Sequence, residues 1–128
     1  MIKLIRNAIV YLLFSSVLLT GCTDAKHMIF TGKSNHWKAD YQVTVTDKYS
    51  ETSTLTIHYV GEKPIPKKAK YSVEDATGGT KGESSLTNGI LQAGGHSCKG
   101  CAVVDKNEKM KTTITWNGKS ESLILKRK

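Results

Sequence analysis

The sequence predicts an all-β protein, an antiparallel β-sandwich of immunoglobulin-like size with about seven or eight strands. From Trp37 onward, apolar residues alternate with polar ones at a period of two, which is the spacing of a half-buried strand. Two Asn-Gly dipeptides, at 88–89 and 117–118, are typical of two-residue hairpin turns. The chain has 128 residues, of which 38% are hydrophobic and 23% charged, and this length and composition favour a single folded domain.

The alternation appears in several runs, and β-branched threonines, which favour strands, are dense within them. The positions on the predicted inner face of these runs are Trp37, Ala39, Tyr41, Val43 and Val45; Leu55, Ile57 and Tyr59; Ala69, Tyr71 and Val73; and Met110, Thr112, Ile114 and Trp116. No stretch of helical length carries a single apolar face. We predict that Trp37 and Trp116 are core residues, the alternative being an exposed aromatic that binds a ligand.

The two Asn-Gly turns predict which segments pair. Asn88-Gly89 would place Gly82–Thr87 against Ile90–Gly94, and Asn117-Gly118 would place Lys111–Trp116 against Lys119–Leu125. The remaining polar segments are predicted to be loops, namely Asp47–Ser53, Gly61–Lys67, Asp75–Lys81 and Asp105–Lys109.

The N-terminus is predicted to be a signal peptide covering residues 1–21. Lys3 and Arg6 precede an almost wholly apolar run, Ala8–Leu19, which is too short to cross about 30 Å of hydrocarbon comfortably. The boundary Leu19-Thr20-Gly21-Cys22 resembles the lipobox of bacterial lipoproteins. That resemblance implies a diacylglyceryl thioether on Cys22 and cleavage before it. A soluble secreted protein cut at a small residue and a permanent membrane helix are the alternatives.

The predicted mature chain has a short tether, residues 22–29, and one domain, residues 30–128. Removing Lys3 and Arg6 from the 19 basic residues leaves 17 against 11 acidic ones, a net charge of +6. Spread over solvent-facing positions, this charge favours solubility; concentrated, it would attract anionic envelope polymers or lipid headgroups. No arginine-rich or aromatic-interleaved pattern indicates nucleic-acid binding. The expected location is the outer face of the cell membrane.

The segment His96-Ser97-Cys98-Lys99-Gly100-Cys101 carries the two cysteines that remain. Outside the cytoplasm two near thiols usually form a disulfide, and a β-turn would bring Cys98 and Cys101 within bonding range. Zinc or Cu(I) bound by His96, Cys98 and Cys101, completed by a group such as His58, is one alternative. Thiol redox chemistry is another, although no helix is predicted here to lower a thiol pKa.

No signature of catalysis is present in the sequence. The chain lacks the GxSxG, HExxH and Walker patterns, and its Gly-Gly pairs precede no predicted helix that could hold phosphate. His27, His36 and His58 are isolated in sequence, as surface or core-rim histidines usually are. We therefore expect a protein that is not an enzyme and needs no cofactor.

Two segments resemble small Bacillus-type membrane lipoproteins whose single domain is an Ig-like sandwich. They are Phe30-Thr31-Gly32-Lys33-Ser34-Asn35-His36-Trp37 and Ile114-Thr115-Trp116-Asn117-Gly118-Lys119-Ser120-Glu121. The resemblance implies the fold and the membrane location and supplies no catalytic residue, while the Cys98 and Cys101 pair departs from it. The expected function is that of a binding or structural module at the cell envelope, in contact with an envelope protein or an anionic wall polymer. The alternative is a metal-binding or thiol-handling lipoprotein.

Overall fold

The computed structural model describes residues 25–75, 78–99 and 104–128, and for residues 95, 96, 98 and 99 it describes the backbone. Eight strands make up the described chain. They are β1 (Lys26–Lys33), β2 (Trp37–Asp47), β3 (Ser50–Tyr59), β4 (Lys68–Asp75), β5 (Gly78–Ser85), β6 (Ile90–Lys99), β7 (Met110–Trp116) and β8 (Lys119–Arg127). Among these residues no helix is long and apolar enough to cross a bilayer.

All eight strands belong to one antiparallel sheet with the order β5-β4-β7-β8-β1-β2-β3-β6. The sheet has two four-stranded halves that share the β1–β8 edge, where Phe30 pairs with Arg127 and Thr31 with Lys126. The outer strands β5 and β6 approach within 8 Å between Cα atoms, so the sheet curls almost into a barrel. The predicted all-β, sandwich-like fold of seven or eight strands is confirmed.

The core lies inside this curl, and it is built from the alternation seen in the sequence. In β2, Trp37, Ala39, Tyr41 and Val43 are buried, while the residues between them are exposed or half-buried. The buried apolar residues of every strand except β5 form one cluster, which also includes Val104 of the loop before β7: Met28, Phe30, Trp37, Ala39, Tyr41, Val43, Leu55, Ile57, Ala69, Val73, Leu91, Val104, Met110, Ile114, Trp116, Leu123 and Leu125. Trp37 is fully buried and Trp116 is 5% exposed, which confirms both as core residues.

A glycine allows the two halves of the sheet to meet. A Cβ atom on Gly32 would collide with the backbone oxygen of Ile124 and lie 2.9 Å from the side chain of Leu125. Any larger residue at position 32 would therefore push β1 away from β8 at the junction.

The hairpin predicted at Asn117-Gly118 is confirmed. Both residues have positive φ angles, 46° and 73°, and Trp116 pairs with Lys119 across the turn. The twist of such a turn matches that of the strands it joins. The pairing then continues along β7 and β8 as far as Met110 and Leu125.

The strand pairing predicted from Asn88-Gly89 is wrong. The turn itself forms, with φ angles of 52° and 79° and two backbone hydrogen bonds between Thr87 and Ile90. Beyond it β5 pairs with β4, and β6 pairs with β3. The reason is burial: Leu91 of β6 lies opposite Ile57 of β3 in the core, whereas β5 has no large apolar side chain to bury.

Several predicted boundaries shift by a few residues. β1 begins at Lys26, four residues before the predicted start of the domain, and β3 begins at Ser50, so the loop after Asp47 is a tight turn. β5 begins at Gly78, inside the predicted loop Asp75–Lys81. The loops between β3 and β4 and between Asp105 and Lys109 lie where the sequence predicts them.

The antiparallel strands give the sheet two ends, which we call lower and upper. The lower end holds the start of β1, the turn at 48–49 between β2 and β3, and the loop at 104–109. The upper end holds the turn at 34–36, the loop at 60–67 and the turn at 117–118. The eight residues of β1 separate the two ends by about 25 Å at 3.3 Å per residue.

Candidate functional site

The upper end contains a cleft of about 740 Å³ between three connecting segments. Its walls come from the turn after β1, the loop after β3 and the turn between β7 and β8. The lining residues are Asn35, His36, Tyr59, Val60, Gly61, Glu62, Lys63, Pro64, Trp116, Asn117 and Lys119. Most of these side chains are polar. Two are cationic and one, Glu62, is anionic, so the cleft suits a polar ligand and has a small excess of positive charge.

One carboxylate organises a wall of this cleft. Glu121 of β8 accepts a hydrogen bond from the hydroxyl of Ser34 at 2.7 Å and another from the backbone N–H of His36 at 3.1 Å, both at Oε1. Its second oxygen, Oε2, pairs with Nδ1 of the His36 ring. The turn between β1 and β2 is thereby fastened to β8.

These contacts determine the charge state of Glu121. Partial burial of the carboxyl acts to raise its pKa, but the hydrogen bonds from the Ser34 hydroxyl, the His36 backbone and the His36 ring outweigh it. The pKa of Glu121 is therefore lowered from its ordinary value of 4.5. A carboxylate with a lowered pKa is a poor general base at neutral pH and a good fixed negative charge.

Aromatic rings hold the His36 imidazole from the other side. The ring lies 5.5 Å from that of Trp116 and is stacked 6.4 Å from that of Tyr59, centroid to centroid. Beneath them Trp37 meets Trp116 and Tyr59 edge to face at 5.3 and 5.1 Å. Such pairs fix ring orientation as well as burying area, so the cleft has a rigid aromatic floor.

Gly61 lets the loop after β3 close over this floor. A Cβ at position 61 would lie 2.7 Å from Cδ2 of His36 and 2.7 Å from the hydroxyl of Tyr59. That hydroxyl donates a hydrogen bond of 2.6 Å to the carbonyl oxygen of Glu62. The loop is therefore held against His36 by close backbone packing.

The contacts of Glu121 orient the His36 imidazole and do not activate the Ser34 hydroxyl as a nucleophile. The Ser34 hydroxyl donates a hydrogen bond to Glu121, and Nδ1 of His36 pairs with the same carboxylate. The hydroxyl is therefore not paired with a histidine base, as acyl-transfer chemistry requires. The His36 side chain is 42% exposed, whereas that of Glu121 is 19% exposed. The other ring nitrogen of His36, Nε2, is then the one available to a ligand.

A second carboxylate organises the lower end. Glu51 of β3 is 8% exposed, and its Oε2 accepts a hydrogen bond of 2.9 Å from the backbone N–H of Val104. This bond ties the loop before β7 to β3. Nearby, burial raises the pKa of Tyr41 above 10.0, an effect that a hydrogen bond with Ser53 partly offsets.

The predicted functional cysteines fall mostly outside the described residues. Cys22 and Cys101 lie outside them, and of Cys98 the backbone is described, paired with Glu51 in β6. The strand continues through Lys99, which pairs with Ser50. Lipidation of Cys22 and the disulfide between Cys98 and Cys101 stay predictions.

The structure separates His58 from the cysteine segment. His58 lies opposite Ile90 at the upper part of β3, while Cys98 lies opposite Glu51 at its start. Seven residues of strand, about 23 Å, lie between these positions, so His58 is not a fourth ligand for a metal held by Cys98. Within residues 25–75, 78–99 and 104–128 no group of three His, Cys, Asp or Glu side chains is arranged to hold a metal ion.

Sequence reasoning missed the contact between His36 and Glu121, which are 85 residues apart. It treated His36 as isolated and gave Glu121 no role. A signal was present, since the two segments that carry the lipoprotein resemblance, Phe30–Trp37 and Ile114–Glu121, contain these two residues. The structure brings both segments to the upper end.

No protein-family model matches this chain, and no curated protein or solved structure matches it either.

Proposed function

We propose that the protein is a membrane-anchored lipoprotein of the bacterial cell envelope, a binding module that is not an enzyme. A lipid on Cys22 would hold the lower end at the membrane, since residues 23–25 are all that separate this cysteine from β1. The cleft at the upper end would face the cell wall. The observation that carries the proposal is the position of the cleft at the opposite end of the sheet from the start of β1, the strand that follows Cys22 in the sequence.

The proposed ligand is an anionic polymer of the cell wall. Lys63 and Lys119 are exposed and line the cleft together with the exposed amides Asn35 and Asn117. One exposed carboxylate, Glu62, also lines it, which leaves a net positive charge. Ammonium groups attract phosphate or carboxylate groups, and amides and an imidazole add directed hydrogen bonds. Because Glu121 is already engaged by Ser34 and His36, its negative charge is directed into the wall of the cleft and away from the ligand.

Binding to purified cell walls tests this proposal. The double variant Lys63→Gln, Lys119→Gln should lose most of the binding measured by co-sedimentation at physiological salt. Its matched control is Lys81→Gln, Lys111→Gln, which removes the same charge from exposed strand positions outside the cleft. The control should bind almost as the wild type does.

The outcomes separate specific from general attraction. An equal loss in both double variants would show that net charge alone draws the protein to the wall and would overturn the cleft as the binding site. Unchanged binding in both would overturn Lys63 and Lys119 as the contact with the polymer, and a wild type that fails to sediment with the walls would overturn the polymer as the ligand.

A further inference from the structure

The lower end carries a second cleft, of about 830 Å³, with four cationic residues around an apolar floor. The floor is formed by Met28 and Val104, which are buried, and by Val45. The cationic side chains are Lys26, Lys48, Lys106 and Arg127, and all four are exposed.

The acidic residues of this cleft are fewer, and they are used within their own turns. Asp47 accepts a hydrogen bond of 2.7 Å from the backbone N–H of Tyr49, and Asp105 accepts one of 3.0 Å from that of Asn107. They shape the two turns that present Lys48 and Lys106. The cleft therefore has four cationic side chains against two carboxylates, and two of the cations, Lys48 and Lys106, lie on turns fixed by these hydrogen bonds.

We propose that this lower end docks on the anionic headgroups of the membrane that carries the anchor. The proposal rests on the proposed function, because the lipid on Cys22 supplies the membrane. The four residue steps from Cys22 to Lys26 span at most about 14 Å. The start of β1 is thus held close to the headgroup layer, where basic residues feel the negative surface potential within a Debye length of about 8 Å.

An exposed aromatic completes the docking surface. Tyr49, at the tip of the turn between β2 and β3, is 63% exposed and follows Lys48 directly. Tyrosine is enriched at membrane interfaces because its ring is apolar and its hydroxyl is polar. Lysines beside such a ring fit a surface of phosphate headgroups over acyl chains. This attachment would keep the sheet upright and the upper cleft away from the bilayer.

Lysine acetylation of the reconstituted lipoprotein tests the docking. The mature protein, purified from its membranes, is inserted into vesicles of phosphatidylcholine alone or of equal parts phosphatidylcholine and phosphatidylglycerol. Lys48 and Lys106 should react about fivefold more slowly in the anionic vesicles, the factor that corresponds to about 1 kcal/mol of attraction for each lysine. Lys63 and Lys119 at the upper end are the internal control and should react equally in both.

Each outcome has one meaning. Equal acetylation rates at all four lysines in both kinds of vesicle would overturn the docking. Protection of Lys48 and Lys106 that is the same with and without phosphatidylglycerol would also overturn it, because the headgroup charge would then be irrelevant. Protection that disappears at about 1 M salt, where the Debye length is about 3 Å, would support it. A protein that fails to float with either vesicle would instead overturn the lipid anchor, and this is measured separately from the labelling.

Discussion

Each end of the sheet has a carboxylate that fastens a connecting segment to a strand, but the two carboxylates do different things. At the lower end Glu51 is 8% exposed and accepts a backbone N–H of the loop before β7. At the upper end Glu121 binds a hydroxyl, a backbone N–H and a half-exposed imidazole. The first contact holds the fold together, whereas the second also orients a side chain toward a cleft. This difference agrees with the proposed function, in which the lower end attaches to the membrane and the upper end binds a ligand.

The largest effect on the difference between the two ends is expected when the lipid anchor proposed at Cys22 is removed. In a Cys22→Ala variant the protein should stay as the unprocessed precursor and carry no fatty acid, because the thiol that accepts the lipid is gone. Metabolic labelling with a fatty acid measures this directly. Label retained in the variant would contradict the assignment of the lower end to the membrane.

The next largest effect is expected in the aromatic floor of the upper end. Trp37→Ala should lower the free energy of unfolding by about 3–5 kcal/mol, since a fully buried indole leaves a cavity. Urea unfolding at neutral pH checks this value. The control is Lys48→Ala in the exposed lower turn, which should change stability by less than about 0.5 kcal/mol. Similar effects in both variants would remove the contrast between a packed upper end and an exposed lower tip.

Glu51, the carboxylate of the lower end, should contribute less to the free energy of unfolding than Trp37 does. Glu51→Ala leaves the N–H of Val104 without its charged acceptor, and hydrogen bonds to charged groups are worth about 1.5–3 kcal/mol. Hydrogen exchange should show faster opening of the loop at 104–109 in this variant. If the exchange of that loop were unchanged, Glu51 would not be what holds it to β3.

The disulfide predicted between Cys98 and Cys101 should contribute about as much to the free energy of unfolding as Glu51 does. In protein isolated without reductant, Cys98 and Cys101 are predicted to be joined, which lowers the mass by about two hydrogens. A loop of four residues corresponds to about 2 kcal/mol in the chain-entropy model, so the Cys98→Ser, Cys101→Ser variant should fold with a lower midpoint. Free thiols carrying stoichiometric zinc or copper would contradict the disulfide.

The smallest effect concerns the charge of Glu121 and depends on pH. Because its pKa is lowered in the folded state, the ionised carboxyl contributes stability above its ordinary pKa of 4.5, and this contribution is lost as the pH falls through the lowered value. The stability difference between wild type and Glu121→Gln should therefore shrink as the pH falls below about 4.5. A difference that grows in this acid range would mean that the contacts of Glu121 favour its protonated form.

Local patterns of the sequence predict the strands better than their order. The alternation that begins at Trp37 predicts β2 and its buried face, and Asn117-Gly118 predicts the β7–β8 hairpin with its partners. The same dipeptide at 88–89 makes the same kind of turn, yet its flanking strands pair elsewhere. A turn fixes the direction of the chain over a few residues, whereas the burial of Leu91 against Ile57 decides the partner.

The candidate cleft was beyond sequence reasoning for the same reason. His36 and Glu121 meet only because β1 and β8 are neighbours in the sheet, and nothing local in either segment specifies that neighbour. The lower end shows the converse case. The prediction of attachment there depends on a short linear motif ending at Cys22, which can be read without knowing the strand order.

Energy transfer from tryptophan to acceptor-labelled lipid headgroups tests the orientation of the two ends most directly. Both native tryptophans, Trp37 and Trp116, lie at the upper end, and Tyr49 lies at the lower tip. In the reconstituted lipoprotein we expect weak transfer from the native tryptophans and a strong additional transfer in a Tyr49→Trp variant, because transfer falls steeply over the length of the sheet. Strong transfer already in the wild type, with no gain from Tyr49→Trp, would contradict a cleft that faces away from the membrane.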